Sequence, residues 1–305
     1  TAQTPTEALL ATLFAEVLHL SDPVAAEADF FALGGDSLLA VRLVLRIEEE
    51  TGRECGLGTL FEHPVLSSFA TALDAARPRD DGLGMTLLLA DGDREKAPLF
   101  LIHPAGGIVW GYRALVRQIA PERQVWGLQH PGLDPDKPMP ESLAALARRY
   151  AHLVAEVQPD GPVHLAGWSV GGLIAQEMAV ALTQMGREPG LVALLDSYPA
   201  DCWRDEPDPD PVVALRALLA IAGYDPDAHP ELATREAVVA FLRAGDTALG
   251  NLPERTLDGV VRVVTDTNRL VRNHYHSPMP ATLTHIRAAR DHAGKPLRSE
   301  MWQAY

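Results

Sequence analysis

Residues 163–186, VHLAGWSVGGLIAQEMAVALTQMG, decide how the chain is read. The run opens with apolar Val163–Ala166, the pattern of a short buried strand. It continues from Leu173 to Met185 as an apolar helix, with Gly186 at its end. Between the two, Gly167-Trp168-Ser169-Val170-Gly171 has the spacing G-x-S-x-G. A serine at the tip of so sharp a strand-to-helix turn needs a strained backbone, and flanking glycines remove the Cβ clashes. The helix start behind Ser169 offers backbone N–H groups to a developing oxyanion, so the pattern points to a nucleophile.

The neighbouring segments predict the rest of such a site. Short apolar runs at Leu99–His103, Gln124–Leu128, Leu191–Leu195 and Thr282–Ala288 alternate with helical patterns such as Leu143–Val157, which implies a parallel α/β sheet. Asp196 directly follows the strand Leu191–Leu195, where it would project from the carboxyl end of the sheet as the acid. The small residues of His103-Pro104-Ala105-Gly106-Gly107 follow another strand. The N–H groups of Ala105 and Val170 are the expected oxyanion donors. His103 comes too early in the chain to be the base and reads as structural. After Asp196 come His229, His274, His276, His285 and His292, and only His292 follows a strand end. Residues 205–275 interrupt the strand–helix rhythm with a Pro/Asp-rich stretch and helical patterns at Val212–Ile221, Arg235–Arg243 and Leu257–Arg272. This reads as a helical insertion over the sheet.

The N-terminal 76 residues differ in kind. Leu9, Leu13 and Val17, with Leu10, Phe14 and Leu18, form one apolar helical face. A second helix starts near Ser37 and runs to about Glu50, and a third follows Pro64. Short helices without a strand signal suggest a small bundle. Asp36 and Ser37 open the second helix after Gly34-Gly35, which by itself fits a plain N-cap. Residues 77–86 read as a polar linker.

The chain has 305 residues and carries 41 acidic against 26 basic side chains, a formal charge of −15. Residues 1–76 hold 12 of the acids and only 3 of the bases. Such a surface argues against sequence-independent nucleic-acid binding and against a basic membrane-surface protein. Two cysteines, Cys55 and Cys202, make no disulfide framework, and there is neither a signal-peptide pattern nor a membrane-length apolar run. A cytoplasmic location is expected. Because it opens Thr-Ala-Gln-Thr-Pro without Met, the chain is expected to be a piece of something longer.

Two stretches carry a resemblance. Asp29–Leu38 (DFFALGGDSL) followed by Leu60–Pro64 (LFEHP) is similar to a peptidyl carrier domain of the nonribosomal peptide synthetases. That resemblance implies a covalent 4′-phosphopantetheine on Ser37 and displaces the plain N-cap reading. Residues 98–305 resemble the terminal thioesterase domain of the same enzymes through PLFLIHPAGG (98–107), GWSVGG (167–172) and LLDSYP (194–199). The implied architecture is a helical-bundle carrier at 1–76, a linker at 77–86, and an α/β-hydrolase thioesterase at 87–305 with a mobile lid at about 205–275. Ser169 maps to the family's nucleophile and Asp196 to its acid. In the family, the strand matching Thr282–Ala288 is followed by a tryptophan, here Trp302, then a further strand and the loop bearing the catalytic histidine. The triad histidine is therefore expected beyond Tyr305, with His292, which precedes Trp302, as a poor match.

The resemblance further implies a peptidyl thioester substrate, upstream condensation and adenylation domains, a phosphopantetheinyl transferase as partner, and a siderophore or peptide antibiotic as product. Two rivals differ in a testable way. An ordinary α/β-hydrolase esterase with a helical appendage would turn over small esters without any arm on Ser37. A non-catalytic carrier and docking pair would hold a stable acyl group.

Overall fold

In the computed structural model the described residues are 4–51, 55–75, 84–119, 122–205, 224–245, 254–279, 281–289 and 296–305, with Leu215, Leu218, Leu219, Ala222, Leu249 and Leu252. Four helices form the N-terminal bundle: α1 (Pro5–Val17), α2 (Ser37–Thr51), α3 (Leu57–Glu62) and α4 (Leu66–Asp74). Thr4 caps α1 by accepting the Glu7 N–H at 3.1 Å, with Glu7 in the first turn. The apolar stripes converge on a core in which Phe14, Phe30 and Phe69 are fully buried. Phe14 meets Phe30 edge to face at 5.1 Å, and each such ring contributes about 1.5–3 kcal/mol by burial. The six-residue α3 was not expected: it is too short to show a period.

The Gly34-Gly35 pair is explained by local geometry. Gly34 has φ +104°, and a Cβ on Gly35 would fall 2.4 Å from the Phe30 ring. Asp36 then caps α2, its carboxylate accepting the Leu39 N–H at 2.9 Å. The capping role therefore falls to Asp36, and the Ser37 hydroxyl has no part in it.

The second unit is a six-stranded sheet in the order β1-β3-β2-β4-β5-β6, made of β1 (Thr86–Ala90), β2 (Leu99–Ile102), β3 (Val125–Leu128), β4 (Val163–Trp168), β5 (Pro189–Leu195) and β6 (Leu283–Ile286). Strands β2 to β6 pair in parallel as expected. The all-parallel expectation fails at β1, which pairs antiparallel with β3. Its sequence, TLLLA, has no β-branched residue after Thr86 and showed no strand signal, yet Leu87 and Leu89 alternate into the core. Thr86, expected to end the linker, is the first residue of β1. The rest of the expected linker, apart from Gly84 and Met85, lies outside the described residues.

Helices α5 (Arg113–Ile119), α6 (Leu143–Val157) and α7 (Val170–Gln184) cover the sheet, and the short α8 (Asp201–Arg204) follows β5. Ser142 caps α6 by accepting the Ala145 N–H at 3.1 Å. The apolar face of α6, from Leu143 to Val154, packs against α7, which is buried along most of its length. In the insertion, α9 (Arg235–Ala244) and α10 (Glu254–Arg272) form where helices were expected. The helical pattern at 212–221 falls mostly outside the described residues. One continuous apolar cluster runs from the bundle through Leu60 and Phe61 into Leu87, Trp110 and Val116. The two units are thus packed against each other.

Candidate active site

The turn from β4 to α7 has the backbone that its sequence demands. Ser169 stands before α7 at φ +55°, ψ −124°, one of only three non-glycine residues with positive φ among the described residues. A Cβ on Gly167 would lie 2.1 Å from the Gly171 backbone, and one on Gly171 would lie 2.4 Å from the Ile102 carbonyl. No other residue fits either position without moving β2 or α7. The turn is held by the Ser169 N–H donating to Leu195 O at 3.0 Å and the Gly172 N–H donating to Ser169 O at 3.0 Å.

Ser169 opens into a cavity of about 260 Å³ that Ala105, Val170 and Asp196 also line. The four residues expected at this site from sequence are therefore brought together. Asp196 sits at the end of β5 with φ +44°. Its Oδ1 accepts the Tyr198 hydroxyl and the Ala288 N–H, both at 3.2 Å. Trp302 supports this loop from behind, its indole N–H donating to Ser197 O at 2.8 Å. Helix α10 contributes Thr267, Asn268, Val271 and Arg272 to the wall. These were not singled out from sequence, although their two i, i+4 pairs mark one face of a helix.

Among the described residues no histidine lines the cavity. His292 lies outside the described residues. His285 is in β6, its ring 5.2 Å edge-on from Tyr198 and its Nδ1 2.7 Å from Ser299 Oγ. His103 is buried, bonded through Nδ1 to Pro104 O at 2.7 Å, and burial lowers its pKa to about 4. It is a neutral structural ring, as expected.

Ser37 lies elsewhere, on the seam between the two units. Its Oγ is 3.5 Å from the Trp110 carbonyl, while Arg117 of α5 donates to Gly35 O. Two residues beyond Trp110, the buried Tyr112 hydroxyl donates to Ile102 O and accepts the Trp168 N–H, each at 2.7 Å. The seam thus connects through one side chain to the residue beside Ser169.

Comparison with known proteins agrees with this geometry. The phosphopantetheine attachment site family matches residues 8–73, and the thioesterase domain family matches residues 97–292, more than half of the chain. The chain belongs to the thioesterase family. Its carrier–thioesterase order is that of the nonribosomal peptide synthetases. It is 41% identical over 256 residues to the dimodular nonribosomal peptide synthase of Bacillus subtilis, covering 84% of this chain and 11% of that one. It is 32% identical over 204 residues to enterobactin synthase component F of Escherichia coli, covering 66% of this chain and 16% of that one. The chain therefore spans a small part of these relatives. In fold it is similar to a four-domain nonribosomal peptide synthetase, AB3403 (TM-score 0.62, 24% identity, 95% of this chain, 23% of that one). It is also similar to the RedJ thioesterase of Streptomyces coelicolor (TM-score 0.51, 23% identity, 70% of this chain, 78% of that one).

The phosphopantetheine that the carrier family attaches to serine finds fitting residues on the seam. The Ser37 hydroxyl is spared from capping, and Arg113 of α5 keeps buried N–H groups that have no hydrogen-bond partner among the described residues, beside the same carrier loop. A second polar cluster in the thioesterase joins Glu177, His274 and His276, all buried and spaced like metal ligands. Its hydrogens argue for a structural network instead. His276 Nε2 accepts the Ala200 N–H at 3.0 Å, so its Nδ1 carries the hydrogen and donates to Gln176 Oε1 at 2.7 Å. His274 Nε2 donates to Glu177 at 3.0 Å. Burial raises the Glu177 carboxyl, but hydrogen bonds from His274 and from the Ser277 N–H, with the His276 ring 3.6 Å away, outweigh it and leave the group at about 2. The network ties α7 to the segment that follows α10. Among the described residues no helix is long and apolar enough to cross a membrane.

Proposed function

We propose that Ser169 is the nucleophile of this thioesterase and that Ser37 carries the phosphopantetheine arm. The observation that carries the reading is the strained Ser169 backbone in a cavity shared with Asp196. The arm supplies a thiol that presents the acyl group as a thioester. Ser169 Oγ attacks the thioester carbonyl, and the proton passes to a histidine outside the described residues, the thiol leaving as Ser169 becomes an ester. Asp196 orients that histidine and stabilises its charged form. The contacts of Asp196 Oδ1 with Tyr198 and Ala288 hold the carboxylate in one position for this role. The N–H groups of Ala105 and Val170 receive the oxyanion. That of Val170 is in the first turn of α7, where N–H groups have no intrahelical partner, and loss of one such donor costs on the order of 10²–10³ in rate.

Water then releases an acid, or an internal amine or hydroxyl of the chain releases a ring. The lid residues Thr267, Asn268, Val271 and Arg272 meet the acyl chain and bias that choice. The carrier takes residues 1–76, the linker 77–85 and the thioesterase 86–305, with the lid at about 205–275. The partners are upstream condensation and adenylation domains, which extend the peptidyl thioester, and a phosphopantetheinyl transferase, which loads Ser37.

The test is intact mass after incubation with an acyl-coenzyme A and a phosphopantetheinyl transferase, followed by peptide mapping. The expected result is an acyl arm on the peptide holding Ser37 and an acyl ester on the peptide holding Ser169. An arm on another serine, or acyl loss that survives Ser169→Ala, overturns the assignment.

A further inference from the structure

Three side chains of the thioesterase face the carrier loop at helical spacing: Trp110 ahead of α5, and Arg113 and Arg117 within it. They bracket Ser37. Trp110 O is 3.5 Å from Ser37 Oγ, and Arg117 donates to Gly35 O, two residues before it. Arg113, between them, lies over the Phe31 ring at 3.2 Å from its centre and 4.3 Å from that of Phe61. The two rings are themselves stacked at 5.6 Å. The guanidinium is therefore closed into the seam by carrier aromatics. Its Nε and Nη2 are buried, and neither has a hydrogen-bond partner among the described residues.

The charge on Arg113 is poorly matched. Burial lowers its pKa to about 9, with Asp29 opposing and Arg117 adding to the fall. Asp29 is already committed to the carrier loop, its Oδ1 accepting the N–H groups of Phe31 at 2.8 Å and Ala32 at 3.0 Å. A buried cation with unused donors is costly unless an anion joins it. The one anion that the chemistry of this loop brings is the phosphodiester formed on Ser37 when the carrier is loaded. Its two non-bridging oxygens match the planar fork of a guanidinium.

We propose that Arg113 binds the phosphodiester on Ser37 in the docked carrier, so that the thioesterase holds a loaded carrier more tightly than a bare one. Arg117 acts as a positioning residue, fixing the backbone of the loop at Gly35. This rests on Ser37 being the attachment residue.

The test compares the whole chain in its bare form and in the form loaded from coenzyme A by a transferase, with intact mass reporting a single arm on the peptide holding Ser37. Amide hydrogen exchange is then read over 28–38 and 108–119. Loading is expected to slow exchange on both sides of the seam by about tenfold, the scale of one charge-assisted hydrogen bond. In Arg113→Met the arm still loads but the slowing disappears, and Arg113→Lys, which keeps the charge without the fork, recovers only part of it. Equal slowing in Arg113→Met and the parent chain overturns the proposal. The parent chain gives a reading that needs no variant to fold: the Arg113 Nε–H resonance shifts and becomes protected on loading, and an unchanged resonance overturns the proposal. If mass finds no arm on Ser37, the attachment reading falls, and this inference falls with it.

Discussion

Ser169 precedes α7 at φ +55° in a turn where its neighbours at 167 and 171 admit no Cβ. Ser37 is the first residue of α2 on ordinary helical backbone, beside an aspartate that does the capping. Both serines open a helix, yet the environments differ. The first is fixed by strain and close backbone packing around a cavity that contains an acid. The second stands on a seam beside a cation with unused donors. A catalytic group must be held in place before its substrate arrives. An attachment point has to present its hydroxyl to other enzymes and to dock.

The sharpest way to break this comparison is to exchange the roles of the two serines by mutation. Ser169→Ala is expected to lower thioester turnover by on the order of 10⁴ or more, while loading by a transferase proceeds unchanged. Ser37→Ala is expected to abolish loading and leave hydrolysis of a small soluble thioester at the parental rate. If both variants lose both activities, the two sites are not separable as described.

Asp196→Asn should follow with a fall in kcat on the order of 10³–10⁴, because the histidine loses the partner that sets its tautomer. Acyl-ester formation on Ser169, followed by mass, should slow in parallel.

Glycines test the strain itself. Gly167→Ala forces a Cβ into the Gly171 backbone and should destabilise the thioesterase by about 3 kcal/mol. Gly34→Ala in the carrier has open space and suffers only the cost of positive φ, about 1–2 kcal/mol. Midpoints of urea unfolding rank the two, and equal losses would contradict the close packing described at the elbow.

A further expected effect is on acid stability. In the thioesterase, burial lowers His103 to about 4 and His130 to about 2, and it also lowers His276, from an ordinary value of 6.5. The unfolded chain takes up protons below 6.5 that the folded chain refuses. Stability should therefore be flat above pH 7 and fall as pH drops from 6.5 toward 4, by about 1.4 kcal/mol per unit for each histidine. Thermal scans between pH 4 and 8 read this directly, and a midpoint that rises on acidification would refute the assignment of these rings as neutral.

Much of this is legible in the sequence alone. The strand, turn and helix around Ser169, the strand ending at Asp196 and the Gly34–Ser37 loop were read at nearly their observed limits, because each carries its own period or turn chemistry. β1 escaped because a leucine run without β-branched residues has no strand signature, and α3 because one and a half turns show no period. The cavity-lining residues of α10 were hidden because an amphipathic stripe does not say which surface it will face.

The sequence by itself determined the two units, the serine each one presents and the acid that accompanies Ser169. These depend on backbone conformation and short spacing, which local residues dictate. Only the tertiary structure decided that Ser37 stands on the seam beside Trp110, that His274, His276 and Glu177 form a closed network, and that Arg113 is enclosed by Phe31 and Phe61. Those facts depend on which distant groups share a buried volume, and burial alone sets whether a charge or a hydrogen-bond donor is left without a partner.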